Sequence, residues 1–270
     1  MKDKDTGEFR LPNLSMEDTL KLVPESSILV GYRGSQAHNT YISPTEPSSI
    51  DDIDIMSIYV PPLNYYIGLD GIRKKDRGTI EKMLDPWDSV SYEIRKFIWL
   101  LVKANPNVMS LLWLRENHYL FCHPLGKRIL DNRDIFLGKH AYKPFIGYAH
   151  SQLHKMEHCK FMGRMGAKRK RLVEKYGFDC KNASHLIRLL RMGTEFLTEG
   201  KMNVFRHDSR ELKAIKAGEW SLERVKEEAD KWFNLAHEAY VRSPLPPGPD
   251  IEKAEALVMS IVKDWHGIQS

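Results

Sequence analysis

The 270-residue sequence predicts an α+β fold, with a small mixed sheet in the N-terminal half followed by an all-helical domain. Two β-rich apolar runs, SILVGY at 27–32 and IDIMSIYV at 53–60, end at glycines or prolines within the first quarter of the chain. From Glu93 the apolar residues instead recur at three- and four-residue steps. Beyond about residue 130 the chain reads as nearly all helix.

Taken in order, residues 16–22 predict a short helix, with Ser15 as its cap and Asp18 in its first turn. Residues 27–32 predict a buried strand that runs into a turn at Gly31 and Gly34. Residues 41–49 hold Pro44, Pro47 and several Ser and Thr, which predicts a loop. A second strand at 53–60 stops at Pro61-Pro62, and residues 89–92 are a candidate third strand. Ile94, Phe97, Ile98, Leu101 and Val102 then mark a helix that ends at Asn105-Pro106, and a second apolar helix is expected at 108–114. Later helices are expected near 144–175, 181–199, 221–241 and 251–265, separated by clusters such as SPLPPGPD at 243–250. The expected division is a catalytic domain over 1–130 and a helical substrate-binding domain over 131–270.

Composition bounds the function. Apolar residues make up 42% and charged residues 29%, which suits a packed globular chain and argues against disorder. A formal charge of +5 allows a polyanionic partner without demanding one. Cys122, Cys159 and Cys180 are odd in number and form no CxxC pair, so a disulfide framework is not expected; Cys159 reads as a small buried hydrophobe. No apolar run approaches the ~18 residues that cross a bilayer, and residues 1–10 are polar and charged, unlike a signal peptide. The expectation is a soluble, cytoplasmic protein with no membrane partner.

The chemistry concentrates at Gly34-Ser35, directly after the first strand, and at Asp52-Ile53-Asp54, opening the second. Residues two apart on a strand share a face, so Asp52 and Asp54 project together. Paired carboxylates repel unless a cation lies between them, and Mg²⁺ takes one or two carboxylates plus substrate phosphates. Gly34 allows close backbone approach to a phosphate, and Ser35 can hydrogen-bond its oxygens. Nucleotidyl transfer fits this set, with Ser35 as a phosphate ligand and not a nucleophile. The plainer reading is a solubilising acidic turn beside a common loop dipeptide.

In the order strand, Gly-Ser turn, Asp-x-Asp strand, the segment resembles the DNA polymerase beta superfamily of nucleotidyltransferases. The chain is most similar to the RNA-repair-pathway polymerase-beta family, through GSQA at 34–37, DIDIMSIYVPP at 52–62, YEIRKFIWLLVKANPNV at 92–108, KNASHLIRLLRMG at 181–193 and SPLPPGPD at 243–250. It departs from the family pattern at His38-Asn39, at Asp51 and at Met56-Ser57. The resemblance implies an N-terminal polymerase-beta-like nucleotidyltransferase domain. It also implies a third carboxylate, as metal ligand or base, for which Asp88 is preferred and Glu93 is the rival. Glu93 could instead serve the N-terminus of a helix.

Lys181, His185, Arg188 and, less perfectly, Arg191 fall on one helical stripe, suited to holding a triphosphate; a solvated basic face is the plainer alternative. A basic run at 164–175 offers Arg164, Lys168, Arg169, Lys170 and Arg171 to an RNA backbone, with Tyr176 and Phe178 available for stacking, or it is a solvated face. His154, Glu157 and His158, with His150 on the same face, match a zinc-protease spacing, but no other feature supports that chemistry.

The expected activity is metal-dependent transfer of NMP from an NTP to a hydroxyl. Asp52, Asp54 and Asp88 would bind Mg²⁺ (or Mn²⁺), and Gly34, Ser35, Lys181, His185 and Arg188 would hold the ATP-like nucleotide. The expected acceptor is an RNA end, of tRNA or another RNA. The alternatives are a protein side chain or a small molecule as acceptor, or a non-catalytic nucleic-acid-binding module on a degenerate transferase fold.

Overall fold

The structure is a computed structural model that describes residues 10–43, 51–69, 78–158 and 167–268. Its centre is a five-stranded mixed sheet of β1 (Ser27–Tyr32), β2 (Ile53–Tyr59), β3 (Thr79–Leu84), β4 (Trp87–Glu93) and β5 (Tyr119–Cys122), in the order β3-β4-β2-β1-β5. β2 and β4 run parallel and every other neighbour is antiparallel.

The helices of the first half are α1 (Met16–Leu22), α2 (Gly34–Ala37), α3 (Leu63–Ile67), α4 (Ile94–Val102), α5 (Pro106–Met109) and α6 (Pro124–Asp131). Those of the second half are α7 (Tyr142–His158), α8 (Ala167–Tyr176), α9 (Cys180–Glu199), α10 (Ser209–Lys216), α11 (Leu222–Arg242) and α12 (Ile251–Trp265). The α+β class and the small mixed sheet are as the sequence predicts.

Local chemistry explains the boundaries. Ser15 caps α1 by accepting from the Asp18 amide. Glu93 ends β4 and caps α4, accepting from the amides of Arg95 and Lys96, while Ile94, Phe97, Ile98 and Leu101 turn inward. Asp179 caps α9, and Gly200, at φ +64°, ends it in the left-handed region.

Several elements differ from the sequence reading. β4 is longer than 89–92, because pairing with β2 on one side and β3 on the other extends it to Trp87 and Glu93. The expected helix at 108–114 starts earlier, at Pro106 behind its cap Asn105, and tightens into a 3₁₀ turn over Ser110–Trp113. β3 has no buried residue and β5 spans four residues, so neither carries a clear alternation. α10, eight residues long and with Leu212 and Ile215 as its buried apolar residues, was not expected either.

The largest buried cluster joins sheet residues such as Ile28 and Met56 to Phe97 of α4, Phe145 of α7, Phe196 of α9 and Ile261 of α12. Both halves of the chain therefore share one core. A second cluster, including Met156, Phe178, Leu186, Ile215 and Trp220, joins α9 to α7, α10 and α11. Leu22, Val30, Ile55 and Trp87 form a third on the α1 side of the sheet. No described helix is long and apolar enough to cross a membrane.

Candidate active site

The parallel pairing of β2 with β4 sets Asp54 directly beside Asp88, one step after Ile53 beside Trp87. Residues in register on neighbouring strands point to the same face, so these two carboxylates face one way. Arg33, at the end of β1, donates its amide to the Asp54 carbonyl at 2.9 Å. Its Nη2 lies 3.2 Å from Asp88 Oδ2 and 3.5 Å from Asp54 Oδ1, so the guanidinium sits between both carboxylates. Burial nevertheless lifts the Asp54 carboxyl above its ordinary value; Arg33 and Lys181 oppose the shift, and Asp88 and Asp52 add to it.

Gly34 has a reason beyond the one the sequence suggests. Its φ is +57°, and a Cβ there would collide with Asp54 Oδ2. The residue lets the turn after β1 lie against the carboxylate. Ser35 is 8% exposed, and its hydroxyl has no hydrogen-bond partner among the described residues.

A cavity of about 350 Å³ opens here, walled on the sheet side by Arg33, Gly34, Ser35 and Asp54 and on the helix side by Lys181, His185 and Arg188 of α9. The structure thus brings to this cavity six of the eight residues expected to bind metal or nucleotide. Asp52 is exposed just ahead of β2 and does not line the cavity. Asp88 reaches it through Arg33.

Glu93 lies elsewhere, at the far end of β4 beside Tyr59. It is 3% exposed and holds the amides of Arg95 and Lys96, the Arg95 side chain and the Tyr66 hydroxyl. It serves the helix, and the alternative that made it the third carboxylate is corrected accordingly.

The cations of the helical wall differ in their partners. Lys216 of α10 is buried and donates to both carboxylate oxygens of Asp51 and to the Thr40 carbonyl. Burial still pushes its pKa down to about 8, with Asp51 opposing. Lys181 lies 3.9 Å from the same Asp51. Arg188 is 7% exposed, and among the described residues it has no carboxylate within salt-bridge distance; its Nη1 donates to His38 Nε2 and to Met192 Sδ. Burial and the neighbouring Arg206 lower its pKa, with the charge of Asp208 opposing, as for a buried cation that no carboxylate among the described residues touches. Burial and the charges of Arg188, Lys181 and Lys216 hold His185 well below the imidazole range. Arg191 points away from this wall, into Asp208, Glu211 and Glu228.

Arg33, His38, Asp51 and Lys216 were not assigned to the site from sequence. The third side of the cavity, with Asn107, Ser110, Tyr148 and Gln152, was missed as well. They are uncharged polar residues on two separate helical segments and form no motif along the chain. Asn105 connects them, capping α5 with its Oδ1 and donating from Nδ2 to the Tyr148 hydroxyl at 2.9 Å.

The basic run fares less well. Arg169 is committed to Asp179 and Asn182, which ties α8 to the start of α9. Phe178 is buried in the second core cluster, so it offers no face for stacking. Lys170 is half-buried and Arg171 exposed, while Arg164, Cys159 and the Lys168 side chain lie outside the described residues. In the zinc-like spacing, Glu157 pairs with Lys226 at 2.8 Å and His150 stacks on Phe233. Among the described residues no three His, Cys, Asp or Glu side chains form a group that would hold a metal by themselves.

The family model described as the RNA repair pathway DNA polymerase beta family matches residues 46–228, more than half of the 270-residue chain. That span includes Asp54, Asp88 and the α9 stripe and begins after Gly34-Ser35. No curated protein and no solved structure matches the chain.

Proposed function

The chain belongs to the RNA repair pathway DNA polymerase beta family, and on that footing we propose that it is a metal-dependent nucleotidyltransferase that moves NMP from an NTP to a hydroxyl of an RNA end. The observation that carries this reading is the pairing of unlike walls across one cavity: Asp54, with Asp88 behind it, on the sheet, and the uncompensated Arg188 on α9.

Two carboxylates side by side suit Mg²⁺ or Mn²⁺, which complete their shell with substrate phosphates, so a group of three protein ligands is not required. The buried, unpartnered Ser35 hydroxyl suits a phosphate oxygen in the same place. Asp54 and Asp88 would hold the metal in the place that the Arg33 guanidinium takes between them here. When bound, the metal stabilises charge on the attacking and leaving oxygens. Gly34 keeps the turn close to Asp54, and Ser35 donates to the nucleotide's phosphates. Lys181 and Arg188 hold the outer phosphates and offset the charge that develops on pyrophosphate. In the reaction the acceptor oxygen bonds to the α-phosphorus as the bond to the bridging oxygen breaks; in this reading the hydroxyl proton passes to the Asp88 carboxylate.

The test is turnover of labelled NTP with Mg²⁺ against separate pools of RNA ends, proteins and small molecules. Label transfer to RNA that disappears in Asp54→Ala is the expected result. Transfer to protein or small molecules alone would overturn the acceptor, and no transfer to any pool would overturn the catalytic reading.

A further inference from the structure

We infer that His38 is a positioning residue that aims the Arg188 guanidinium at the nucleotide's outer phosphates without cancelling its charge. The inference rests on the reading of Arg188 as a phosphate ligand.

His38 follows α2 as its C-terminal cap and is 4% exposed, so its ring is fixed by what it touches inside the molecule. Its Nδ1 lies 2.9 Å from the Val204 carbonyl oxygen. A carbonyl oxygen only accepts, so Nδ1 carries the proton and Nε2 presents a lone pair. That lone pair meets Arg188 Nη1, which can only donate. One ring thus joins the turn after β1, the segment before α10 and the middle of α9. Burial and the charges of Arg188 and Arg206 favour the same neutral ring, holding His38 well below the imidazole range.

The choice of a neutral acceptor separates Arg188 from the buried cations around it. Arg191 reaches three carboxylates, Arg206 reaches Glu195 and Asp208, and Lys216 reaches Asp51. Those partners neutralise the cations, which then serve the fold. A carboxylate at position 38 would hold the guanidinium at least as firmly but would neutralise it. An imidazole fixes its direction and leaves its attraction for a polyphosphate in place.

The experiment is calorimetric titration of the full chain with inorganic triphosphate in metal-free buffer, paired with thermal melts. Arg188→Met tests the underlying reading and should weaken binding by about tenfold or more, the factor expected for one lost charge-assisted hydrogen bond. If its affinity equals that of the wild type, Arg188 is not the phosphate ligand.

Given that loss, His38→Gln, which offers both an acceptor and a donor, should bind within about threefold of wild type, and His38→Phe should bind about tenfold more weakly. His38→Glu should keep the wild-type Tm or raise it, yet weaken binding as much as Arg188→Met does. A merely structural role predicts the reverse for Glu, with affinity following Tm. The inference is overturned if Arg188→Met loses binding while His38→Phe and His38→Glu retain it. Should the Glu variant not fold, the split between Gln and Phe decides.

Discussion

The two walls of the cavity are charged by different means. On the sheet, Asp54 and Asp88 are neighbours because two parallel strands are in register, and Arg33 arrives with them from the end of β1. On the helix, Lys181, His185 and Arg188 are neighbours because a helix repeats every 3.6 residues, and the carboxylate nearest to Lys181, Asp51, is already engaged by Lys216. The sheet wall keeps a negative excess even with Arg33 in place, and the helical wall keeps a positive one. A ligand that carries phosphates towards α9 and a cation towards β2 satisfies both. A metal–nucleotide complex has that polarity, whereas a free anion or a free cation would satisfy one wall only.

The largest expected effect falls on the sheet wall. Asp54→Asn and Asp88→Asn should each lower turnover by about a hundred- to a thousandfold, the scale of removing one preorganised charge contact. Asp54→Asn should do so with no loss of Tm at neutral pH. The folded state raises the pKa of Asp54, so its carboxylate costs stability, and that cost sets in as pH rises above the ordinary value of 3.8. The Tm advantage of Asn should therefore be present at neutral pH and vanish below 3.8, where folded and unfolded carboxyls are both protonated. A Tm that drops at neutral pH would show that the Arg33 pairing outweighs burial.

The helical wall should split into its two kinds of cation. Lys216→Met strands the buried Asp51 charge and should cost about 3–5 kcal/mol in denaturant melts, as removal of one partner of a buried pair does. Adding Asp51→Leu should return part of that loss, since the pair is then removed whole. Arg188→Met should cost little stability. If the two single variants destabilise equally, the contrast between a neutralised and an available cation is lost.

Gly34→Ala should cost about 1–2 kcal/mol, the penalty of a left-handed backbone for an L-residue, and should also lower turnover by displacing Asp54. Smallest is Glu93→Gln, expected to remove about 1 kcal/mol of cap stability and to leave turnover at the wild-type level. A fall as deep as that of Asp88→Asn would return Glu93 to the carboxylate set.

How much of this was legible follows from the range of the interactions. Ser15, Glu93 and Asp179 act on amides two or three residues away, so caps and helices could be read directly. Asp52-x-Asp54 and the Lys181–His185–Arg188 stripe are local patterns of strand and helix, and they were visible for the same reason. The register of β4 against β2 sets Asp88, and not Glu93, beside Asp54, a juxtaposition that spacing along the chain cannot supply. Periodicity could not supply the Arg33 bridge to Asp88, 55 residues away, or the Lys216 pair with Asp51, 165 residues away. Nor could it join His38 to Arg188 across 150 residues. By itself the sequence determined most of the long helices, the two central strands and the spacing of the cationic stripe, because each depends on contacts within a few residues. Only the tertiary structure decided which charges are neutralised and which remain for a ligand, because that depends on which distant side chains packing brings within reach.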